Sequence, residues 1–485
     1  MADNSFPVER LKGQPPSRKT LKDITSRCKR MPENEKLCRS VHARLEYLHD
    51  PVAPLDRTAS PKVKYVDVLV RFVKLMRRKP LLMRLATSDT TVQMIRELHR
   101  DLDVVATELG LDDRVEMQWT EQFAADLAEQ YTKLAERVTG SSDRMLVNEV
   151  RGDKKLQEAL MTLYSGLQTA NQTPEMRKLI EATFTRVSNF SQLTGLGMFD
   201  WFISLEDVEY EDEAIGIGTF GDVSRGTWLH NGKRQEVVVK RLWEKGDGSS
   251  DDPFLNQLEV WGGIPDHPNI LKLYGGCHVS SPQFYVCENA IRGNLLDFLA
   301  KDENRGLFWR MFRQVAEGLQ FLHSQRIVHG GLKCHNILVG DKNVAKLGDF
   351  GFSSIRSLSM GLSANSSKVQ SEAVRWKPKE MLQEEGNEEP RFESDIYSLG
   401  MCMIEAITQA LPFGLTDDTD VMEFIMKGGC HPRPDDVEIA DETWSLITRL
   451  CASDFHDRPT IETVIEEISA FAREEGAQNP VPQGA

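Results

Sequence analysis

No stretch of this 485-residue sequence holds the ~20 consecutive uncharged apolar residues that a membrane-crossing helix needs. The richest run, Leu399 to Leu415, is interrupted by Glu405 and Pro412 and reads as a buried core helix. The opening residues, MADNSFPVERLKG, show no apolar segment of the kind a secretory leader carries. Cysteine is sparse. The eight thiols, at 28, 38, 277, 287, 334, 402, 430 and 451, show no paired zinc spacing, and no secretory context favours disulfides. These absences point to a reduced, cytoplasmic protein.

What is present is ordinary for a globular chain, with 40% hydrophobic and 27% charged residues, and enough length for two or three domains. The formal charge of −15 is unevenly spread: Met1 to Pro80 carries 19 Lys and Arg against 9 Asp and Glu, which leaves the remainder at −25. Such asymmetry suits a basic arm meeting an acidic body or an anionic surface, and no nucleic-acid partner is expected. Residues 1–35 mix Lys, Arg, Pro and Ser and read as a disordered basic segment. Residues 36–190 read as a helical bundle. Its apolar stripes fall at Tyr65, Leu69, Phe72, Val73 and Met76, then at Val92, Ile95, Leu98, Leu102, Val105 and Leu109, then at Trp119, Phe123, Leu127, Tyr131, Leu134 and Val138. A fourth helix is expected over Met145 to Leu167 and a fifth after Pro174. Beyond Asn189 strand-like alternation appears in EDVEYEDEAIG, RQEVVVKRLW and QFYVCENA, and helical runs return after Leu295, the pattern of an α+β unit. The last residues, 474–485, carry no apolar payload and read as a disordered tail.

The chemistry-bearing residues lie in the α+β part. IGIGTFGDV sets Gly216, Gly218 and Gly221 in the GxGxxG spacing that lets backbone amides approach phosphate oxygens, with Ile215 before it and Val223 as an apolar lid. Seventeen residues on, VVVK ends a strand at Lys240, suited to hold α- and β-phosphates. HGGLKCHN offers Asn336 as a metal ligand, and thirteen residues later Asp349 of DFG offers a second.

With HPNILKLYGGC, YVCENAIRGNLLDFL, RWKPKE, SDIYSLGM and DRP following in order, residues 201–473 resemble a protein kinase domain of the tyrosine-kinase-like Ser/Thr group. The resemblance implies a bilobal kinase fold behind the all-α bundle, with ATP and Mg²⁺ as cofactors and a protein substrate or signalling partner. It implies Cys287 as gatekeeper, Glu288 to Ala290 as hinge, Leu338 under the adenine, and a buried Glu380–Arg458 ion pair. A bundle ahead of such a domain is similar to the arrangement of necroptotic mixed-lineage kinase-domain-like pseudokinases. That similarity implies intramolecular contact between bundle and kinase-like domain; Lys62, Lys64, Arg71, Lys74, Arg77, Arg78 and Lys79 flank an apolar helix face as a membrane-surface helix would show, and equally as any bundle helix with snorkelling ends shows.

Two departures matter. Where the family reads HRDLKxxN, this chain has His329-Gly330-Gly331, so the carboxylate that accepts the substrate proton is missing at Gly331. General-base assistance is worth ~10²–10⁴-fold, so transfer should be absent or vestigial. Lys333, in the LK pair, fits the Ser/Thr pattern, and a borrowed base such as Asp222 would allow a slow Ser/Thr kinase instead. On the helix after Lys240, FLNQLEVW offers Gln257 at the phase where the family pairs the lysine with Glu, while Glu259 would need a rotated helix. The segment Phe352 to Val374 is rich in serine, from Ser353 and Ser354 to Ser367 and Ser371, and invites phosphorylation.

Overall fold

The computed structural model describes residues 18–29, 31–112, 114–168, 173–193, 197, 199–211, 213–218, 221–230, 233–242, 253–350, 374–382 and 391–478. The chain divides into two compact units, residues 1–209 with 228–235, and residues 210–227 with 236–485.

The first unit is built from α1 (Arg18–Cys28), α2 (Glu35–Val52), α3 (Ser60–Leu75), α4 (Leu81–Ala86), α5 (Ser88–Glu108), α6 (Thr120–Gly140), α7 (Asp143–Val150), α8 (Asp153–Gln168) and α9 (Pro174–Ser191). Its apolar stripes fill two cores. One gathers Leu45, Tyr65, Phe72, Ile95 and Leu102 from α2, α3 and α5, and the other gathers Leu82, Leu146, Leu160 and Ile180 from α4, α7, α8 and α9. Helix α6 serves both, giving Phe123 to the first and Leu134 and Val138 to the second. Glu33 ties them together, its carboxylate taking both oxygens to Arg84 at 2.9 Å and accepting from Arg137 at 3.2 Å.

Two expectations are corrected here, and the basic row gains partners. Residues 18–28, read as part of a disordered arm, form α1, because Leu21, Ile24 and Cys28 recur at helical spacing and are buried; residues 1–17 lie outside the described residues. The single helix expected over Met145 to Leu167 is two, broken where Arg151 (φ 52°) and Gly152 (φ 106°) turn left-handed. The basic row on α3 and beyond is largely engaged within the unit. Lys62 Nζ donates to the carbonyls of Ala53 and Leu55, Lys64 pairs Glu108, Arg71 pairs Asp67 and Asp101, and Lys79 pairs Glu206 at 2.6 Å. Arg77 and Arg78 stay exposed, and among the described residues no helix is long and apolar enough to cross a membrane.

The second unit follows a strand-first, helix-later order. Strands β1 (Val208–Tyr210), β2 (Gly216–Gly218), β3 (Gly221–His230), β4 (Lys233–Leu242), β5 (Leu273–Cys277) and β6 (Phe284–Glu288) make a sheet ordered β1-β3-β4-β6-β5, with β2 paired to β3. Helix α10 (Pro253–Gly262) comes between β4 and β5. A helical lobe follows with α11 (Leu295–Leu299), α12 (Phe308–Ser324), the small hairpin β7 (Ile337–Val339) and β8 (Ala345–Leu347), and then α13 (Phe392–Thr408), α14 (Asp418–Met426), α15 (Asp441–Leu450) and α16 (Ile461–Gln478). This is the α+β architecture expected. Helix α13 is the core helix read from the apolar run, its Glu405 fully buried. The tail expected from residue 474 is helical to Gln478, and the Glu475 carboxylate accepts from the backbone N–H groups of Trp309 and Arg310, capping the start of α12.

Candidate active site

Strands β4 and β6 run antiparallel with Lys240 directly opposite Tyr285. Side chains of a facing pair leave the same face of a sheet, and both reach Asp349. Lys240 Nζ pairs with Asp349 Oδ2 at 2.6 Å, and the Tyr285 hydroxyl donates to Asp349 Oδ1 at 2.7 Å. Asp349 itself sits at φ 55°, just past β8.

Helix α10 supplies no partner for the lysine. Gln257 is buried at the inward phase, but its Nε2 donates to the Phe350 carbonyl at 2.9 Å, and Glu259 is exposed. Neither Gln257 nor Glu259 is therefore the partner of Lys240. The ammonium takes the carboxylate within reach, and a neutral amide does not compete with it.

From the catalytic-loop histidine an aromatic column runs upward. His329 meets Phe350 (6.2 Å between centroids), Phe350 meets Trp261 of α10 (5.1 Å), and Trp261 meets Tyr285 (5.3 Å). The loop below is pinned by Asp395 at the start of α13, whose two oxygens accept from the backbone N–H of His329 (2.8 Å) and Gly330 (2.9 Å). Gly330 adopts φ 65°, a left-handed conformation that glycine takes without strain. Gly331 follows with no side chain to offer. Its carbonyl accepts from Asn336 Nδ2 at 2.7 Å, which leaves the amide oxygen of Asn336 available on the other side of the amide. That oxygen and the Asp349 carboxylate are hard oxygen donors of the kind a Mg²⁺ ion takes. Lys333 lies over the Trp376 ring at 6.0 Å. Asp222, the alternative base, is paired with Arg241.

The glycine motif does two jobs. A Cβ on Gly221 would overlap the Arg241 carbonyl, so this glycine is required by the β3–β4 packing, whereas Gly216 faces open space. Ile215 is 52% exposed and its N–H donates to the Val223 carbonyl, so two apolar residues stand uncovered or partly covered beside Gly216. Gly218 ends β2 opposite Gly221. On the other side Leu338 is half-buried in β7, Glu288 pairs Lys346 at 3.0 Å, and the Ala290 carbonyl accepts from Gly293. Burial pushes the Cys287 thiol up to about 12, so it acts as a small apolar side chain. The serines from Ser353 to Ser371 lie outside the described residues.

The anchoring ion pair is present. Arg458 meets Glu380 through both oxygens, at 2.6 and 3.1 Å. Burial raises the Glu380 carboxyl, but the hydrogen bonds and charge of Arg458 outweigh it and hold the group below the usual range.

Residues 210–468 match the family model described as protein tyrosine and serine/threonine kinase. The chain belongs to the protein kinase family. Among curated relatives, the tyrosine-protein kinase Btk of Drosophila melanogaster is 29% identical over 269 residues, 54% of this chain and 32% of that protein. Tyrosine-protein kinase SRK3 of Spongilla lacustris is 27% identical over 307 residues, covering 61% of this chain and 87% of that one. Tyrosine-protein kinase Src64B of Drosophila melanogaster is 27% identical over 264 residues, 53% of this chain and 46% of its own length. This chain thus spans about a third of the first relative and under half of the third.

Proposed function

We propose that this chain binds ATP with Mg²⁺ between Ile215, Val223, Lys240, Glu288, Ala290 and Leu338, and works as a pseudokinase of the tyrosine-kinase-like Ser/Thr type. In this reading Lys240 holds the α- and β-phosphates, while Asn336 and Asp349 hold the cation, which would neutralise phosphate charge. The kinase-like domain, residues 201–473, acts in the cytoplasm as a nucleotide-bound switch or scaffold coupled to the helical domain, residues 36–190, and to a protein partner. The chain passes between the two compact units at residues 209–210, 227–228 and 235–236.

One observation carries the reading. Gly331 stands where a proton acceptor is needed, with the neighbouring Gly330 N–H held by the Asp395 carboxylate and the Gly331 carbonyl held by Asn336 Nδ2. Asp222 is held by Arg241. A second reading, a slow Ser/Thr kinase, draws support from the assembled Lys240, Asp349 and Asn336 and from a transition state that depends mainly on positioning. Lys333 fits the Ser/Thr pattern and favours Ser or Thr for any such transfer, although the relatives named above are tyrosine kinases.

Thermal denaturation of the full chain tests the shared premise. ATP with Mg²⁺ at 100 times its Kd should stabilise the protein by about 2.7 kcal/mol, and Lys240→Ala should abolish the shift. No shift at millimolar ATP would remove both readings and leave a protein-interaction module.

A further inference from the structure

The catalytic loop and α13 meet at a cluster of side chains that the nucleotide cleft does not use. Cys334 opens the tight turn Cys334–Asn336, and Cys402 and Glu405 stand three residues apart on α13, hence on one face of that helix. All three are fully buried, and the two sulfurs and a Glu405 oxygen lie within 4.8 Å of one another. The Cys334 thiol donates to the Cys402 carbonyl at 3.3 Å and also borders the Glu405 carboxyl. That carboxyl is used on one side only. Its Oε2 accepts from the Cys334 N–H (3.0 Å) and from the Trp376 Nε1–H (2.9 Å). Its Oε1 has no N–H or O–H donor among the described residues and stands 3.6 Å from His335 Nδ1. The His335 ring is half-exposed, so the cluster has one edge toward solvent. A buried acid oxygen in such a position costs stability unless a cation meets it.

We propose that Cys334, Cys402 and Glu405, completed by His335, form a four-ligand Zn²⁺ site that ties the catalytic loop to α13. Two thiolates, an imidazole and a carboxylate make a donor set that suits Zn²⁺ and not Mg²⁺. Bonds of about 2.0–2.3 Å set tetrahedral ligands about 3.3–3.8 Å apart, so the cluster closes on the ion with shifts on the order of 1 Å. The two thiol protons leave to solvent and the metal takes their place, while Glu405 binds through Oε1 and keeps both N–H donors on Oε2. With every position filled by protein the site is structural, since no water is left to activate. It uses none of Lys240, Asn336 and Asp349, and it stands whether or not nucleotide binds. Chain spacing conceals it, because Cys334 and Cys402 are 68 residues apart.

The test titrates the full chain, kept reduced with a phosphine, with Co²⁺ as a coloured stand-in and then with Zn²⁺ against a chromophoric chelator. The wild type should take up Co²⁺ with a thiolate-to-cobalt charge-transfer band and the strong visible bands of tetrahedral coordination, and Zn²⁺ should bleach both. Cys334→Ser and Cys402→Ser should each weaken Zn²⁺ binding by ~100-fold or more, and His335→Ala by ~10-fold. Cys430→Ser, which removes an exposed thiol elsewhere, should leave binding unchanged. Melting temperatures of the metal-free proteins check that each variant folds. Should a cysteine variant fail to fold, Glu405→Gln keeps an acceptor for the Cys334 and Trp376 N–H groups and should still weaken binding by ~10-fold, and the wild-type Co²⁺ spectrum needs no variant. A wild-type Co²⁺ spectrum without the charge-transfer band, equal Zn²⁺ affinity in the wild type and both site-cysteine variants, or a charge-transfer band lost only in Cys430→Ser would overturn the inference.

Discussion

Removing the Glu380 carboxylate should be among the most damaging single changes in the second unit. The Arg458 side chain is completely buried, with Nη1 and Nη2 on Glu380 and further bonds from Nε to the Ala452 carbonyl (2.9 Å) and from Nη1 to the Glu393 carbonyl (2.8 Å). Its cation lies over the Tyr397 ring at 5.2 Å. Glu380→Ala leaves that guanidinium without a counter-charge in a dry setting, a loss of about 3–5 kcal/mol. Pairing it with Arg458→Met should recover much of the loss, because the stranded charge is then gone. Because a two-unit chain need not melt in one step, hydrogen exchange of peptides from α13 and α15 is the suitable readout. The Glu380 carboxyl is held below its usual 4.5, so its contribution is full above that value and fades as pH falls through the folded one. The gap between wild type and Glu380→Gln should therefore be constant near neutrality and close in acid. A Glu380→Ala loss under about 1 kcal/mol, the scale of an exposed pair, would refute the reasoning.

Two further expectations test other parts of the molecule. Gly221→Ala should disturb the β3–β4 packing, at about 1–3 kcal/mol for an overpacked site, and weaken ATP binding, whereas Gly216→Ala should be milder in the free protein; melting curves with and without ATP check both. In the helical unit, burial raises Asp207 to about 6 against the bond from Thr90 and the charge of Lys79, and burial with the charge of Glu206 raises Glu158 to about 7. Both groups keep their protons above their unfolded values, so unfolding releases protons and this unit loses stability as pH climbs from about 4 to about 7. Asp207→Asn should flatten that slope in melts taken between pH 5 and pH 8, and an unchanged slope would contradict the assignment.

Local pattern made much of this fold legible. Stripes such as Val92 to Val105 mark buried helix faces because the 3.6-residue period survives whatever the helices pack against. The break at Arg151–Gly152 was readable in principle from the glycine, but apolar residues on both sides continue the helical phase and hide it. Helix α1 was hidden differently, since three buried residues among many charges look like a disordered segment until a partner core is there to receive Leu21 and Ile24. In the site, spacing located Lys240, Asn336 and Asp349, but it could not pair them. Which acid meets Lys240 depends on the phase of α10 and on the neutral Gln257 finding the Phe350 carbonyl. Tyr285 went unnoticed, although a signal existed: it lies two residues before Cys287 on one strand, hence on the same face as the gatekeeper position. Only the β4–β6 register shows that it stands opposite Lys240. The partners of the basic row on α3 were not legible, because charge patterning reveals none and Asp101, Glu108 and Glu206 come from elsewhere in the chain.

The central claim is that a carboxylate is missing where the acceptor hydroxyl must lose its proton. Transfer from γ-labelled ATP to Ser/Thr peptides, run on the full-length wild type beside Gly331→Asp and Asp349→Asn, addresses it most directly. The account predicts wild-type turnover at or below about 1 s⁻¹, with activity gained in Gly331→Asp. Wild-type turnover equal to an ordinary kinase, lost in Asp349→Asn and not raised by Gly331→Asp, would contradict it.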